Sequence, residues 1–279
     1  MVPCGFVSKN SRLLIGPGVL VDPHVLSKEI NSLRIRSRLG VDYRCTIIEK
    51  KDITKDRKLP HLSVCIDTTG TGCGPANSER ALRRSRQVAS LKSFKDLLTD
   101  VPKEINMAIE KGEDILIEGT QGYKMSLFLG AYPYVTSKDT TASAFAADVG
   151  IGPKKVDEVL LVFRTFPIRV GNGPFSTEIT KEEAQKLGII EYGSVTGRLR
   201  RVGHFDYELL QEAITINGAT QIALTGIDLY DRECRGITDY NKLTAKAKDF
   251  IASIEQSAKM PVSLISTGPE IDETIDRRS

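Results

Sequence analysis

The sequence predicts an α/β fold: a mostly parallel central sheet flanked by helices, in a single domain over residues 1–279. Short apolar runs alternate with amphipathic stretches along the whole chain, the pattern of a sheet wound with helices. Two runs, Asp114–Gly119 (DILIEG) and Glu158–Phe163 (EVLLVF), are nearly continuous in apolar residues. Such runs suit strands buried on both faces of a parallel sheet. No Ser- or Gly-rich linker divides the chain, which favours one domain.

Taken in order, Arg12–Leu20 reads as strand, turn, strand, with the turn at Gly16-Pro17-Gly18. Asp22 is placed to cap a helix, with Pro23 at its first position. Val25, Leu26, Ile30 and Leu33 then recur on one helical face. Asp42–Glu49 reads as a β-branched strand, and Ser63–Ile66 is a short apolar run before a glycine-rich loop. A basic helix is expected over Asn77–Lys92 and a second helix over Pro102–Lys111, stopped by Gly112. Thr180 and Glu183 have capping-box spacing ahead of a helix over Lys181–Leu187. Tyr207–Ile216 and Leu243–Ala258 are helical, and Ile222–Thr225 and Val262–Ile265 are buried strands.

Composition narrows the function. Lys and Arg number 39 against 36 Asp and Glu, a net charge of +3. That balance argues against nucleic acid as a partner, which calls for a strong basic excess or stripe. Any basic patch must be local and fit a small anion. No apolar run is long enough to span a membrane, and MVPCGFVSKN has no signal-peptide core. A cytoplasmic protein is expected. The five cysteines (Cys4, Cys45, Cys65, Cys73, Cys234) form no CxxC pair and fit reduced, mostly buried thiols. His24, His61 and His204 have no metal-ligand spacing.

The chemistry is expected at strand ends, where α/β sheets bind ligands. Asp67–Pro75 (DTTGTGCGP) holds three glycines and three hydroxyls in nine residues. Its backbone N–H groups could cradle a phosphate or simply make a tight turn. Arg80, Arg83, Arg84 and Arg86 follow. After DILIEG comes a long hydroxyl-rich stretch, Thr120–Ser143, with Gln121 at its start. Loops this long are usually functional or disordered, and the aromatic content speaks against disorder. Ser194–Gly203 (SVTGRLRRVG) places three arginines within four residues, suited to carboxylates and phosphates or to solvent. Asp228, just past IALTGI, could accept both N–H donors of a guanine edge. Ser266-Thr267-Gly268 ends the last strand.

These pieces, in this order, resemble adenylosuccinate synthetase, most closely its shorter archaeal form, over nearly the whole chain. The specific segments are IGPGVLVDP (Ile15–Pro23), TTGTGCGPAN (Thr68–Asn77), EGTQG (Glu118–Gly122), YPYVTSKDTTAS (Tyr132–Ser143), Val149–Phe175, VTGRLRRVG (Val195–Gly203) and ISTGPE (Ile265–Glu270). The resemblance implies a fold related to P-loop NTPases. It also implies a ligase that makes adenylosuccinate from IMP, L-aspartate and GTP with Mg²⁺. GTP would first phosphorylate the 6-oxygen of IMP, and the aspartate amine would displace that phosphate. A purine 6-oxygen will not leave unaided, and the transfer needs in-line positioning with charge stabilisation.

By the same resemblance, Thr69, Gln121, Thr136 and Arg198 would contact IMP. Arg83 would reach the IMP phosphate of a neighbouring subunit, making the active unit a homodimer. Ser194, Val195, Thr196, Gly197, Arg198, Leu199 and Arg200 would form the loop that closes over aspartate. Arg200 would also approach the GTP phosphates. Gly226, Ile227 and Asp228 would read guanine, with Ser266, Thr267 and Gly268 flanking it.

Departures accompany the match. The family's opening strand, its Gly-Asp-Glu-Gly-Lys-Gly loop with the general base and metal ligand, and its Asn-Ala-Gly-His segment have no counterpart here. MVPCGF matches a family position just past them. The expectation is a chain that begins late, retains its ligand loops, lacks turnover as written and leaves the neighbours of a central strand unpaired. Metal ligands would lie mainly in the unmatched segment, and no catalytic residue is assigned in this sequence. Asp67 stands in place of a glycine, Gly226 replaces the lysine of the guanine motif, Leu199 interrupts the arginine run, and His204 replaces a tryptophan. Two alternatives stand beside this reading: a ligase joining aspartate to a guanine nucleotide, and a non-catalytic nucleotide-binding remnant or dimer partner.

Overall fold

A computed structural model describes residues 2–193 and 197–278. The chain forms two compact units, Met1–Val156 and Asp157–Ser279.

The first unit contains strands β1 (Leu13–Ile15), β2 (Leu20–Val21), β3 (Leu39–Asp42), β4 (Thr46–Ile47) and β5 (Leu98–Thr99). Its helices are α1 (Pro23–Leu33), α2 (Lys50–Lys58), α3 (Cys73–Ala81), α4 (Val101–Glu110) and α5 (Ala142–Val149). A parallel sheet runs β1-β3-β5, and β2 pairs in parallel with β4. The Asp22 carboxylate caps α1 as expected, accepting from the N–H groups of His24 at 2.8 Å and Val25 at 3.2 Å. Leu26 and Ile30 of α1 bury against Leu13, Val41 and Phe94. Val101 and Ile105 of α4 pack with Ile151 in a second cluster.

Three expectations fail in this unit, and one apolar run takes a helical form. The strand over Asp42–Glu49 is broken: Asp42 Oδ1 accepts from the Arg44 N–H at 2.9 Å, and the chain turns before β4. The apolar run Ser63–Ile66 lies in a wide helical turn, His61–Ile66, with Val64 and Cys65 exposed. No strand lies beside it to complete a ladder. The basic helix begins at Cys73 and ends at Ala81. The chain then turns through Arg83, at φ 58°, and Ser85–Val88 runs along β4, with Ile47 N–H donating to the Arg86 carbonyl at 2.9 Å. Asp114–Gly119 is not a strand. It pairs with no described strand, and Leu116 is 87% exposed; only Ile117 leans on the α4 cluster. An apolar run becomes a strand only when a neighbour takes its backbone groups.

The second unit contains β6 (Leu160–Arg164), β7 (Ile168–Arg169), β8 (Arg201–Val202), β9 (Gln221–Thr225), β10 (Val262–Ser266) and β11 (Thr274–Asp276). Its helices are α6 (Lys181–Leu187), α7 (Tyr207–Asn217), α8 (Ile227–Tyr230) and α9 (Ala245–Ala258). The main sheet runs β11-β10-β9-β6, parallel except for β11, while β7 and β8 form an antiparallel ribbon. Leu210 of α7 and Ile251 and Ile254 of α9 cover one face, over Ile222, Leu224 and Ile265. β6 is an edge strand. Phe163 turns towards that core, whereas Leu160 and Val162, alternating with it, are exposed. The expected burial on both faces is therefore half realised. Thr180 caps α6, accepting from the Glu183 N–H at 3.1 Å.

All five cysteines are free thiols, but only Cys45 and Cys234 are buried, so the expectation of mostly buried thiols fails for the other three. Burial pushes the Cys45 thiol up to about 12, and it donates to the Gly16 carbonyl at 3.2 Å.

Candidate functional site

In the second unit the candidate residues collect where parallel strands end. β6, β9 and β10 are adjacent and run the same way, so Thr165, Gly226–Asp228 and Ser266–Gly268 emerge at one end of the sheet. Gly226 adopts φ 80° and starts α8. A Cβ at this position would lie 3.1 Å from Thr165 Oγ1, and that hydroxyl donates to the Gly226 carbonyl at 2.7 Å. Glycine in place of lysine thus follows from a left-handed backbone pressed against a threonine. Ile227 is fully buried and anchors the turn. Asp228 is 6% exposed, yet no hydrogen bond or ion pair to its carboxylate is present among the described residues. Thr267 is fully buried and its hydroxyl is committed, donating to the carbonyls of Ile237 at 2.9 Å and Glu273 at 3.1 Å. Ser266 Oγ donates to the Gly268 carbonyl at 2.8 Å. A Cβ at Gly268 would sit 2.1 Å from Glu273 Oε2.

The arginine loop is reached through a short bridge between Tyr192 and Leu199. Ser194, Val195 and Thr196 lie outside the described residues. Gly197 has φ 65°, and the Arg198 carbonyl accepts from the Gly193 N–H at 2.8 Å. Arg200 Nη1 donates to Glu191 Oε2 at 3.2 Å, and Glu191 also pairs with Arg164. The Arg200 Nε is buried without a partner among the described residues. Arg201 is spent on structure: Nε donates to Glu178 Oε1 at 2.7 Å, and Nη1 to the carbonyls of Gly171 and Gly173.

In the first unit, loops rather than strand ends carry the candidates. The glycine-rich loop has Asp67, Gly70 and Gly72 at positive φ. Asp56 of α2, almost fully buried, clamps it. Its Oδ1 accepts from Thr68 Oγ1 at 2.8 Å and its Oδ2 from the Gly72 N–H at 2.7 Å. A carboxylate therefore already takes one of the N–H donors that a phosphate would use. The exposed Thr69 hydroxyl meets that of Thr71 at 3.1 Å. Asn77 of α3 donates to Ser137 Oγ at 2.8 Å, tying the helix after the Thr69 loop to the stretch that carries Thr136. That stretch is held from within. Asp139 accepts from buried Ser126 Oγ at 2.7 Å and from Thr141 Oγ1 at 2.7 Å. Burial alone would raise the Asp139 carboxyl, but these donors hold it below its ordinary value. Gln121 is exposed at φ 63°, next to Gly122, whose carbonyl accepts from Thr140 Oγ1 at 2.8 Å. Arg83 is exposed, and no carboxylate pairs with it among the described residues.

The sequence profile of the adenylosuccinate synthetase family matches residues 1–98 and 86–233. A relative named adenylosuccinate synthetase in Methanocaldococcus jannaschii is 60% identical, aligned over 100% of this chain and 82% of its own length. That of Archaeoglobus fulgidus is 56% identical over 100% and 82%. The chain belongs to the adenylosuccinate synthetase family. The fold agrees: the fully ligated adenylosuccinate synthetase of Plasmodium falciparum superimposes with a TM-score of 0.91 at 23% identity, covering 100% of this chain and 88% of that one. A cyanophage S-2L succinoaminodeoxyadenylate synthetase gives 0.79 at 24% identity, covering 100% and 80%.

Like its family, this adenylosuccinate synthetase is a ligase of purine nucleotide biosynthesis. It joins L-aspartate to IMP at the expense of GTP. The relatives favour neither alternative. Among the described residues no group of three His, Cys, Asp or Glu could hold a metal ion. The described residues therefore do not by themselves make a cage for the family's Mg²⁺. Among the described residues no helix is long and apolar enough to cross a membrane. Several residues that shape the candidate site carry no signal in the sequence. Asp56, Asn77 and Thr165 look like ordinary helix or loop polar residues until the fold brings them to Gly72, Ser137 and Gly226.

Proposed function

We propose that in this adenylosuccinate synthetase Gly226–Asp228 and Ser266–Gly268 take the guanine of GTP, with Asp228 accepting from the base. The observation that carries this reading is Asp228, a largely buried residue at the end of β9 and beside the end of β10 whose carboxylate accepts no hydrogen bond among the described residues. A guanine edge supplies two N–H donors to such a carboxylate, and an adenine edge does not. Thr267 and Gly268 act as wall rather than as hydrogen-bonding groups, because the Thr267 hydroxyl is already used.

Thr69, Gln121, Thr136 and Arg198 bind IMP, and Arg83 reaches the IMP phosphate of a second copy in a homodimer. Residues 194–200 close over aspartate, with Arg198 and Arg200 meeting its carboxylates and Arg200 approaching the GTP phosphates. The unpartnered Arg200 Nε supports that role. Mg²⁺ would accompany GTP as the charge partner of its phosphates, and the enzyme works in the cytoplasm.

The test is calorimetric titration of GDP and ADP into the protein and its Asp228→Asn variant. GDP should bind at least about tenfold more tightly than ADP, and the variant should lose most of that preference. Equal binding of both nucleotides, or a variant that keeps the preference, overturns the guanine assignment.

A further inference from the structure

The first unit holds a cavity of about 370 Å³ lined by Arg44, Thr46, Arg80, Arg83, Ser85 and Gln87. Its floor is β4 with the Ser85–Val88 segment beside it, joined by a bridge between Thr46 and Gln87. The end of α3 and the Arg83 turn supply its other side. No carboxylate lines it.

Its cations are unevenly neutralised. Arg44 uses Nε and Nη2 on Asp42 and Asp100, which leaves Nη1 over. Arg80 gives Nη1 and Nη2 to the carbonyls of Gly18 and Pro17, at 3.0 and 3.2 Å. Those dipoles orient the guanidinium without cancelling its charge. Arg83 has no acidic partner among the described residues, whereas its neighbours Arg84 and Arg86 pair with Glu79 and Glu49. Thr46 Oγ1 and Ser85 Oγ are hydrogen-bonded to each other at 3.2 Å, which leaves one hydroxyl proton of the pair to donate, and Gln87 adds an amide. Arg83 is held at φ 58°, a conformation that costs free energy for a residue with a Cβ, so its direction is imposed by the turn.

We propose that this cavity is a binding site for a free tetrahedral oxyanion, inorganic phosphate above all. Guanidinium forks and a hydroxyl match its acceptors, and the lining has no aromatic ring on which a base could stack. Phosphate is also what the ligase releases when aspartate displaces it. The site shares Arg83 with the proposed dimer contact and otherwise stands apart from that reading. Bound phosphate would hold Arg83 at home and away from a neighbour's IMP.

Calorimetric titration of inorganic phosphate at fixed ionic strength tests it, with chloride as the control anion. The expected result is saturable binding, weakened about tenfold or more by Arg80→Gln and by Gln87→Glu, which adds a carboxylate at an exposed lining position. Gln87→Glu keeps the protein testable if Arg80→Gln loosens the Gly18 turn. IMP affinity measured without phosphate should be unchanged in Gln87→Glu. Absence of saturable phosphate binding overturns the proposal, and so does binding indifferent to both variants. An IMP affinity that falls in step with phosphate affinity also overturns it, because the cavity would then be the seat of the nucleotide's own phosphate. Failure of IMP to bind any of these proteins tells against the IMP assignment and leaves the phosphate result standing.

Discussion

The two units hold their candidate residues by different means. In the second, Gly226–Asp228 and Ser266–Gly268 are the ends of parallel strands whose bodies are buried among Ile222, Leu224 and Ile265. Their positions follow from the sheet. In the first, Thr69, Gln121 and Thr136 sit on irregular chain. What fixes that chain is a set of polar side chains: Asp56 under the glycine loop, Asn77 across to Ser137, and Asp139 within its own loop; Asp42 does the same work under the β3–β4 turn of this unit, away from the candidate residues. A strand end is positioned by many small apolar contacts and tolerates the loss of one polar group. A loop hung on buried carboxylates does not.

The largest effect expected from that contrast is at Asp42. It is fully buried and accepts from the Arg44 N–H, Nε and Nη2 and from the Val101 N–H, all within 2.9 Å. Asp42→Asn should cost about 3 kcal/mol at neutral pH, read as a lower urea midpoint. Burial alone would raise the Asp42 carboxyl, but Arg44 and the backbone donors hold it below its ordinary value. A depressed carboxylate stabilises the fold above its unfolded pKa of about 4, and that contribution is lost as pH falls through the lower, folded value. The gap between wild type and Asp42→Asn should therefore narrow on acidification below about pH 4. A gap that stays constant or widens would remove Asp42 from the explanation.

Asp56→Ala should cost somewhat less, about 2 kcal/mol, since it strands the Gly72 N–H and the Thr68 hydroxyl. IMP binding should weaken with it. A variant that loses stability but binds IMP normally would show that the clamp serves the fold and not the ligand loop. Gly226→Ala in the other unit should cost about 1 kcal/mol, from the positive φ and the crowding by Thr165. If it matched Asp42→Asn, the contrast between the units would collapse. Smallest is Ser266→Ala, about 0.5 kcal/mol, because one part-buried hydroxyl is removed from a strand that the core holds. Urea melts of the four variants in one buffer rank them directly.

The same contrast explains what could be read in advance. Helix caps are local, so Asp22 and Thr180 were legible from spacing alone. β6, β9 and β10 were legible because their apolar runs meet partners, whereas the short β7, β8 and β11 carry no such run and were not. Asp114–Gly119 has the same composition as a buried strand and is not one, because pairing is a property of the neighbour and not of the run. Asp42 turns its own strand aside through a side-chain contact two residues on, which period-two patterning does not register. The loops of the candidate site were found by their residue types and by family resemblance. The carboxylates beneath them are ordinary acidic residues on paper, and only the fold shows what they hold.

The irregular stretch at residues 113–120 has one more consequence. Proteases take their substrates as extended chain, gripping backbone groups that a folded protein normally keeps occupied. This stretch offers such groups in the open, with Lys111 just before it and Lys124 just after. Only Ile117 must come away from the core around Val101 and Ile105 for the stretch to be cleaved. The survival time of the chain in a cell extract would then be set by how well these few residues are shielded, and not by the stability of either unit. Any molecule that gave the stretch a strand to pair with would lengthen the protein's life without touching a ligand.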